Sequence, residues 1–122
     1  MKFLCLIFFD ERLLDDLSKR QYDALVDESL AYDERLRESR HFIAAQALQS
    51  AKEAVTLRVR GENVSITDGP FAETKEQVGG FILIEARDMN EAMRVASGFP
   101  GARLGGVEVR PVKELRASWS DA

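Results

Sequence analysis

One cysteine and one histidine are all that the 122 residues offer of the two side chains on which most metal sites and many nucleophilic sites are built. Cys5 has no second cysteine to pair with, so an intrachain disulfide is excluded. Set inside an apolar run, it reads as a small buried hydrophobe of a reducing compartment. A lone imidazole, His41, and scattered carboxylates give no ligand set with recognisable spacing, so neither a metal nor a cofactor is expected. Gly79-Gly80 and Gly105-Gly106 precede strands, whereas phosphate-cradling glycines precede helices. No serine sits in a nucleophile-elbow pattern. Positive charge is not in excess either: 17 basic against 21 acidic residues leave a net charge of −4, which argues against sequence-independent nucleic-acid binding. The apolar run at residues 3–9 is too short to span a bilayer and lacks the order of a signal peptide. A cytoplasmic protein with no membrane partner is therefore expected. Repeats, low-complexity segments and linkers are absent, and a chain of this length is expected to be one domain, 1–122, able to bury a core without a staple.

What is present is organised around residues 67–80, Thr67-Asp68-Gly69-Pro70-Phe71-Ala72-Glu73-Thr74-Lys75-Glu76-Gln77-Val78-Gly79-Gly80. Asp bonds its own downstream backbone, Gly takes a positive φ without strain, and Pro fixes its own φ, so Asp68-Gly69-Pro70 is a strong turn. A connection of roughly 13 residues is long for a hairpin, and long loops of defined chemistry are often functional.

The apolar run at 3–9 reads as a strand buried on both faces and central in a sheet. Ser18 and Gln21 have capping-box spacing, which starts a helix at Lys19 that runs to about Ser39. Tyr22, Leu25, Val26, Leu30 and Leu36 form its apolar stripe, but Ser29 and Asp33 fall in the same sector, with Tyr32 at its edge. Two polar residues in a core-facing stripe need partners. Either Ser29 bonds back to the preceding turn and Asp33 pairs with Arg37, or both line a pocket between helix and sheet. A strand at residues 41–48 follows, with His41 at its start. Val55, Leu57 and Val59 alternate with polar residues as in a half-buried strand, and a Gly61-containing turn leads to a partner strand at 64–67. After the long loop come a strand at 81–86, a helix opened by Asp88 and stopped by Gly98 and Pro100, and a strand at 107–112. Trp119, near the chain end, is expected to pack on a partner or fray. The order β-α-β, hairpin, loop, β-α-β makes an α+β two-layer sandwich of ferredoxin-like character. Its second sheet face would stay partly apolar, so a homodimer is the default expectation.

The run from Thr67 to Gln77 with Gly79-Gly80-Phe81 closely resembles the YCII-related family, in its DGPF-domain branch. The resemblance extends through the opening strand, Tyr32-Asp33-Glu34 and His41-Phe42-Ile43 to Gly106-Val107-Glu108-Val109-Arg110-Pro111. It implies a dimeric α+β barrel built from ferredoxin-like halves. In the wider family a His–Asp pair in a cleft implies general acid–base chemistry, and Asp68 resembles the aspartate of that pair. The histidine of related proteins lies on the first helix, where this chain has Ser29 with Tyr32 and Asp33, so His41 is its remaining candidate. Proteins of the DGPF branch are also associated with extracytoplasmic-function sigma factors, which implies a regulatory partner.

The expected function is the binding of an unknown small molecule in a cleft floored by the sheet and closed by the loop 68–80, with Asp68 either a general base or acid or the residue that fixes a polar group of the ligand. Asp68 and His41 are its catalytic candidates. Ser29 and Tyr32 would orient the ligand, Arg58 or Lys75 would supply charge to an anionic one, and Gly69, Pro70 and Phe71 complete the loop. The alternative is a regulatory module that docks a protein such as a sigma factor through Glu73, Lys75 and Glu76. A purely structural loop is the third reading. A ligand screen by thermal shift and ligand-observed NMR on wild type and Asp68→Asn separates them: a site at the loop predicts loss of binding with a thermal midpoint unchanged within a few degrees.

Overall fold

The computed structural model describes residues 1–116, so the expectation for Trp119 lies outside the described residues. Chain order is β1 (Lys2–Asp10), α1 (Glu11–Asp15), α2 (Lys19–Glu38), β2 (Phe42–Ala47), β3 (Val55–Arg60), β4 (Asn63–Asp68), β5 (Glu76–Glu85), α3 (Met89–Ala96) and β6 (Gly105–Pro111). Short 3-10 turns lie at Ala51–Glu53 and Pro100–Leu104. The fold is mixed α+β with antiparallel sheets. Four strands form one sheet in the order β2-β5-β1-β6, and β3 and β4 form a separate two-stranded sheet.

The apolar run takes β1 to the centre, paired with β5 on one side and β6 on the other. Its alternation matters because side chains of a strand point to opposite faces. Phe3 sits opposite Ile84 and Cys5 opposite Ile82. That face carries the core, closed by Leu36 of α2, by Ala92, Val95 and Ala96 of α3, and by Phe99. Phe3, Cys5 and Ile84 have no exposed surface, and burial pushes the Cys5 thiol up to about 11. On the opposite face Leu4, Leu6, Phe8, Phe81 and Leu83 remain half-buried.

Local signals account for the helix ends. Gln21 N–H donates to Ser18 Oγ at 3.1 Å and Ser18 N–H to Gln21 Oε1 at 2.9 Å, which closes the capping box of α2. At the other end Arg40 N–H bonds the Arg37 carbonyl at 3.1 Å and His41 N–H that of Leu36 at 2.8 Å, a Schellman closure. It places Arg40 at φ 65°, the left-handed region that favours glycine. The short α1 has no counterpart in the sequence reading. It is started by Asp10, whose Oδ1 accepts from Arg12 N–H at 3.0 Å while the Arg12 guanidinium folds back onto the same carboxylate.

Two expectations are corrected. The strand expected at 81–86 begins at Glu76, because residues 76–78 pair with the last turn of β1: Asp10 meets Glu76, Phe9 meets Gln77 and Phe8 meets Val78. Register then shifts, with Ile7 opposite Gly80 and Gly79 left over as a bulge. Only glycine fits there, since a Cβ on Gly79 would fall inside the Phe9 ring. The hairpin strands expected to be half-buried are open on both faces. Leu57 pairs with Ile66 and Val59 with Val64, yet Val55, Leu57, Val59, Val64 and Ile66 are 57–70% exposed. The alternation is real, but among the described residues nothing packs on its apolar side.

Two measurements check this account. Arg40→Gly is expected to stabilise the protein by about 1 kcal/mol in urea unfolding, the relieved left-handed strain less the extra backbone entropy of glycine. Cys5 is expected to resist a thiol reagent at pH 8 in the native state, where only about one thiol in a thousand is ionised, and to react on unfolding.

Candidate functional site

The apolar stripe of α2 meets the sheet along only part of its length. Leu36 is its one buried residue, while Tyr22, Val26 and Leu30 stay exposed. The reason is where the helix is tied down. Tyr32 Oη donates to the Val95 carbonyl at 2.7 Å, and its ring meets Phe99 edge-on, centroids 5.3 Å apart. The C-terminal end is thereby pinned to α3 and the following turn, and the side of α2 that carries Tyr22 to Asp33 stands off the sheet.

The gap is a cleft of about 400 Å³. Ile7 and Phe9 of β1, residues 45–48 and residues 79–82 form its floor; Leu14 and one side of α2 form its wall; residues 99–101 close one end. Ala45 lies opposite Ile82, on the face that carries the core, whereas Gln46 lies opposite Phe81 on the other face. The polar side chains aimed into the cleft are therefore those of α2: Tyr22, Ser29 and Asp33.

Ser29 Oγ donates to the Leu25 carbonyl at 2.8 Å, which leaves it an acceptor toward the cleft. Asp33 does not form the i,i+4 pair with Arg37. Arg37 instead hydrogen-bonds Glu34 and lies 4.1 Å from the centroid of the Phe42 ring. Asp33 has no hydrogen bond among the described residues, and burial holds its carboxyl above the ordinary carboxylate range, opposed by the charge of Arg37 and reinforced by that of Glu34. No lysine or arginine lines the cleft among the described residues.

Of the residues expected to bind or turn over a ligand, Ser29 alone lines this cleft, joined there by Gly79-Gly80 at the end of the central loop. Tyr32 lies just outside it as a structural tether. Asp68 is exposed at the end of β4, and its loop enters β5 at Glu76. His41 stands at the far end of that strand, where its carbonyl accepts from Glu85 N–H at 2.8 Å. A ten-residue strand is about 30 Å long, so within one chain Asp68 and His41 do not form a pair. His41 Nδ1 contacts Ser39 Oγ at 2.7 Å and Nε2 contacts Glu91 Oε1 at 3.2 Å. Glu91, held below the usual carboxylate range chiefly by the Arg87 N–H, anchors that cluster. Arg58 lies 4.3 Å over the Phe71 ring. Gly69, at φ 106°, donates to the Ala54 carbonyl at 2.7 Å, and its own carbonyl accepts from Thr56 Oγ1 at 2.8 Å. Pro70 follows it, partly buried. Lys75 approaches Asp10 at 4.0 Å. These residues form a second, exposed region on and beside the hairpin.

Asp33 is the residue that the expected site left out. Its signal was in the sequence, as a carboxylate inside an apolar stripe. The contributions of Phe9, Ala45 and residues 99–101 carry no local signal. Among the described residues no three metal-ligating side chains are grouped, and no helix is long and apolar enough to cross a membrane.

Residues 1–116 match the YCII-related domain family. Over 114 residues, 92% of each chain, the protein is 32% identical to an uncharacterized protein of Rhizobium meliloti (strain 1021). Among solved structures it is similar, at 19% identity and a TM-score of 0.47, to the 5-chloro-2-hydroxyhydroquinone dehydrochlorinase of Burkholderia phenoliruptrix AC1100 in complex with 2,5-dihydroxybenzoquinone. That likeness covers 93% of this chain and 95% of the other.

Two substitutions test the local assignments. Tyr32→Phe is expected to cost about 1 kcal/mol in urea unfolding through loss of the bond to Val95. The Asp33 pKa is raised on folding, so its contribution to stability is fully present below the unfolded carboxyl value, about 3.9, and is lost as pH rises through the folded one. Asp33→Asn is therefore expected to gain thermal stability relative to wild type as pH is raised from 3 to 7.

Proposed function

This chain belongs to the YCII-related domain family, and on that premise we propose that it binds a small, largely apolar molecule in the cleft between α2 and the sheet. The observation that carries the proposal is a cavity of about 400 Å³, lined mainly by apolar groups, with a carboxylate that has no hydrogen-bond partner inside it. Concave apolar cavities of roughly 300–1,000 Å³ with a few placed polar groups are the usual form of ligand sites. Asp33 has a partly buried carboxyl held above the ordinary carboxylate range by desolvation, and it is the residue suited to hold or move a ligand proton.

The finer assignments are proposals as well. Asp68-Gly69-Pro70-Phe71 supports membership of the DGPF branch. The strand order β2-β5-β1-β6 supports a ferredoxin-like sandwich. Two apolar surfaces, the half-buried back of the main sheet and the exposed face of the hairpin, support a homodimer of barrel type, because such patches rarely face water; its cytoplasmic location is part of the same proposal. The second reading, a regulatory module that docks a protein such as a sigma factor, is favoured by the exposure of Phe71, Glu73, Lys75 and Glu76.

A metabolite library screened by thermal shift and ligand-observed NMR tests the first reading. Val26→Trp, at the exposed mouth, is expected to abolish binding with an unchanged thermal midpoint, and Asp68→Asn to retain it. Binding that survives Val26→Trp and fails in Asp68→Asn would move the site to the loop. Protein captured by wild type and lost when Lys75 and Glu76 are charge-reversed would support the regulatory reading. Leu6→Asp, on the back of the sheet, is expected to halve the mass in light scattering if that face joins two copies.

A further inference from the structure

We propose that the cleft selects the protonated amine of a one- or two-ring apolar molecule, with Asp33 as its counter-ion; the proposal rests on the ligand-cleft reading. Charge is the first observation. Among the described residues Asp33 is the one acidic side chain of the lining, and no lysine, arginine or histidine accompanies it. From β1, β2, β5 and residues 99–101, the elements that face α2 across the cleft, no charged side chain lines the cavity. On α2 itself the nearest charges, Glu34 and Arg37, are engaged with each other, and Arg37 is further held over Phe42. An anionic ligand would bring a second negative charge to a carboxylate whose neighbouring cation, Arg37, acts on it only through charge and is hydrogen-bonded to Glu34 instead. An ammonium supplies the missing partner and forms charge-assisted hydrogen bonds.

Hydrogen-bond direction points the same way. Ser29 spends its hydroxyl hydrogen on the Leu25 carbonyl, so Ser29 and Asp33, one turn apart on the same side of α2, present acceptors only. An ammonium, with N–H donors alone, matches that pair. The rest of the lining suits the body of such a molecule. Phe9 and Tyr22 bring aromatic side chains to the lining, for apolar contact and for the cation itself. A volume of about 400 Å³ lies toward the small end of ligand pockets. An uncharged ligand that accepts a hydrogen bond from protonated Asp33 is the competing arrangement, and the test separates the two.

Three naphthalene probes of matched shape serve as ligands: 2-(1-naphthyl)ethylamine, 2-(1-naphthyl)ethanol and 1-naphthylacetate. Each is titrated by ligand-observed NMR at pH 7 against wild type, Asp33→Asn, Asp33→Ser and Val26→Trp, with a thermal melt of every variant. Wild type is expected to bind the amine about tenfold or more tighter than the alcohol, and the acetate most weakly. Both Asp33 variants are expected to weaken the amine about tenfold while leaving the alcohol unchanged, and Val26→Trp to weaken all three. Equal affinity for amine and alcohol in wild type, or an amine preference that persists in both Asp33 variants, overturns the amine assignment and leaves the cleft reading intact. Binding indifferent to Val26→Trp, or no binding of any probe, overturns the cleft reading and the amine assignment with it.

Discussion

The register of β1 against β5 is the constraint on which the other features depend. Phe3 opposite Ile84 and Cys5 opposite Ile82 put four of the core side chains on one face. A slip of one residue would turn the pair on one of the two strands to the other side and split the core. The same pairing cannot continue unbroken, because the Phe9 ring occupies the space above Gly79. The register shift at Ile7/Phe8 absorbs the conflict and leaves the Gly79 and Gly80 backbone bare on the face toward the helices. Glycine there removes side chains from the floor of the cleft. It also extends β5 back to Glu76, which brings the end of the Asp68 loop beside Asp10 and Lys75 within 4.0 Å of that carboxylate.

The helix layer then decides how much of that face is covered. α2 is held by Leu36, by Tyr32 on the Val95 carbonyl and by the ring contact with Phe99 in its second half, and by the ion pair of Glu28 with Arg103 near its middle. Its first half keeps an apolar stripe with nothing beneath it. A side chain left half-packed costs stability, and so does the carboxylate of Asp33 inside an apolar wall. Costs of this kind collect where a protein binds something, since a site filled by its own chain has no room for a ligand.

Much of the architecture was readable in the amino-acid order because its causes are local. The capping box at Ser18 and Gln21, the helix opened by Asp88, and the strand periodicities each depend on residues within one or two turns of one another. The polar pair Ser29 and Asp33 was readable as an anomaly, with two outcomes left open. Ser29 turned out to take both, bonding back to Leu25 and facing the cleft. Asp33 took the second, because Arg37 found Glu34 and the Phe42 ring instead. The Asp68 loop drew attention for its turn chemistry, which is real: Gly69 has the positive φ and its amide is tied to Ala54. Turn chemistry does not say which surface a loop faces, and this one lies with the exposed hairpin, away from the cleft.

The sequence by itself determined the elements, their caps, the central place of the first strand and the alternation of the hairpin, because each follows from periodicity and from hydrogen bonds between near neighbours. Only the tertiary structure decided that His41 and Asp68 share no hydrogen bond or ion pair among the described residues, that the hairpin's apolar face meets no other element among them, and that a cleft opens beneath the Tyr22–Asp33 side of α2. Those outcomes depend on register and on where a helix is pinned, which are relations between residues up to 110 positions apart, such as Lys2 and Val112 at one end of the sheet. Short-range patterns carry no record of them.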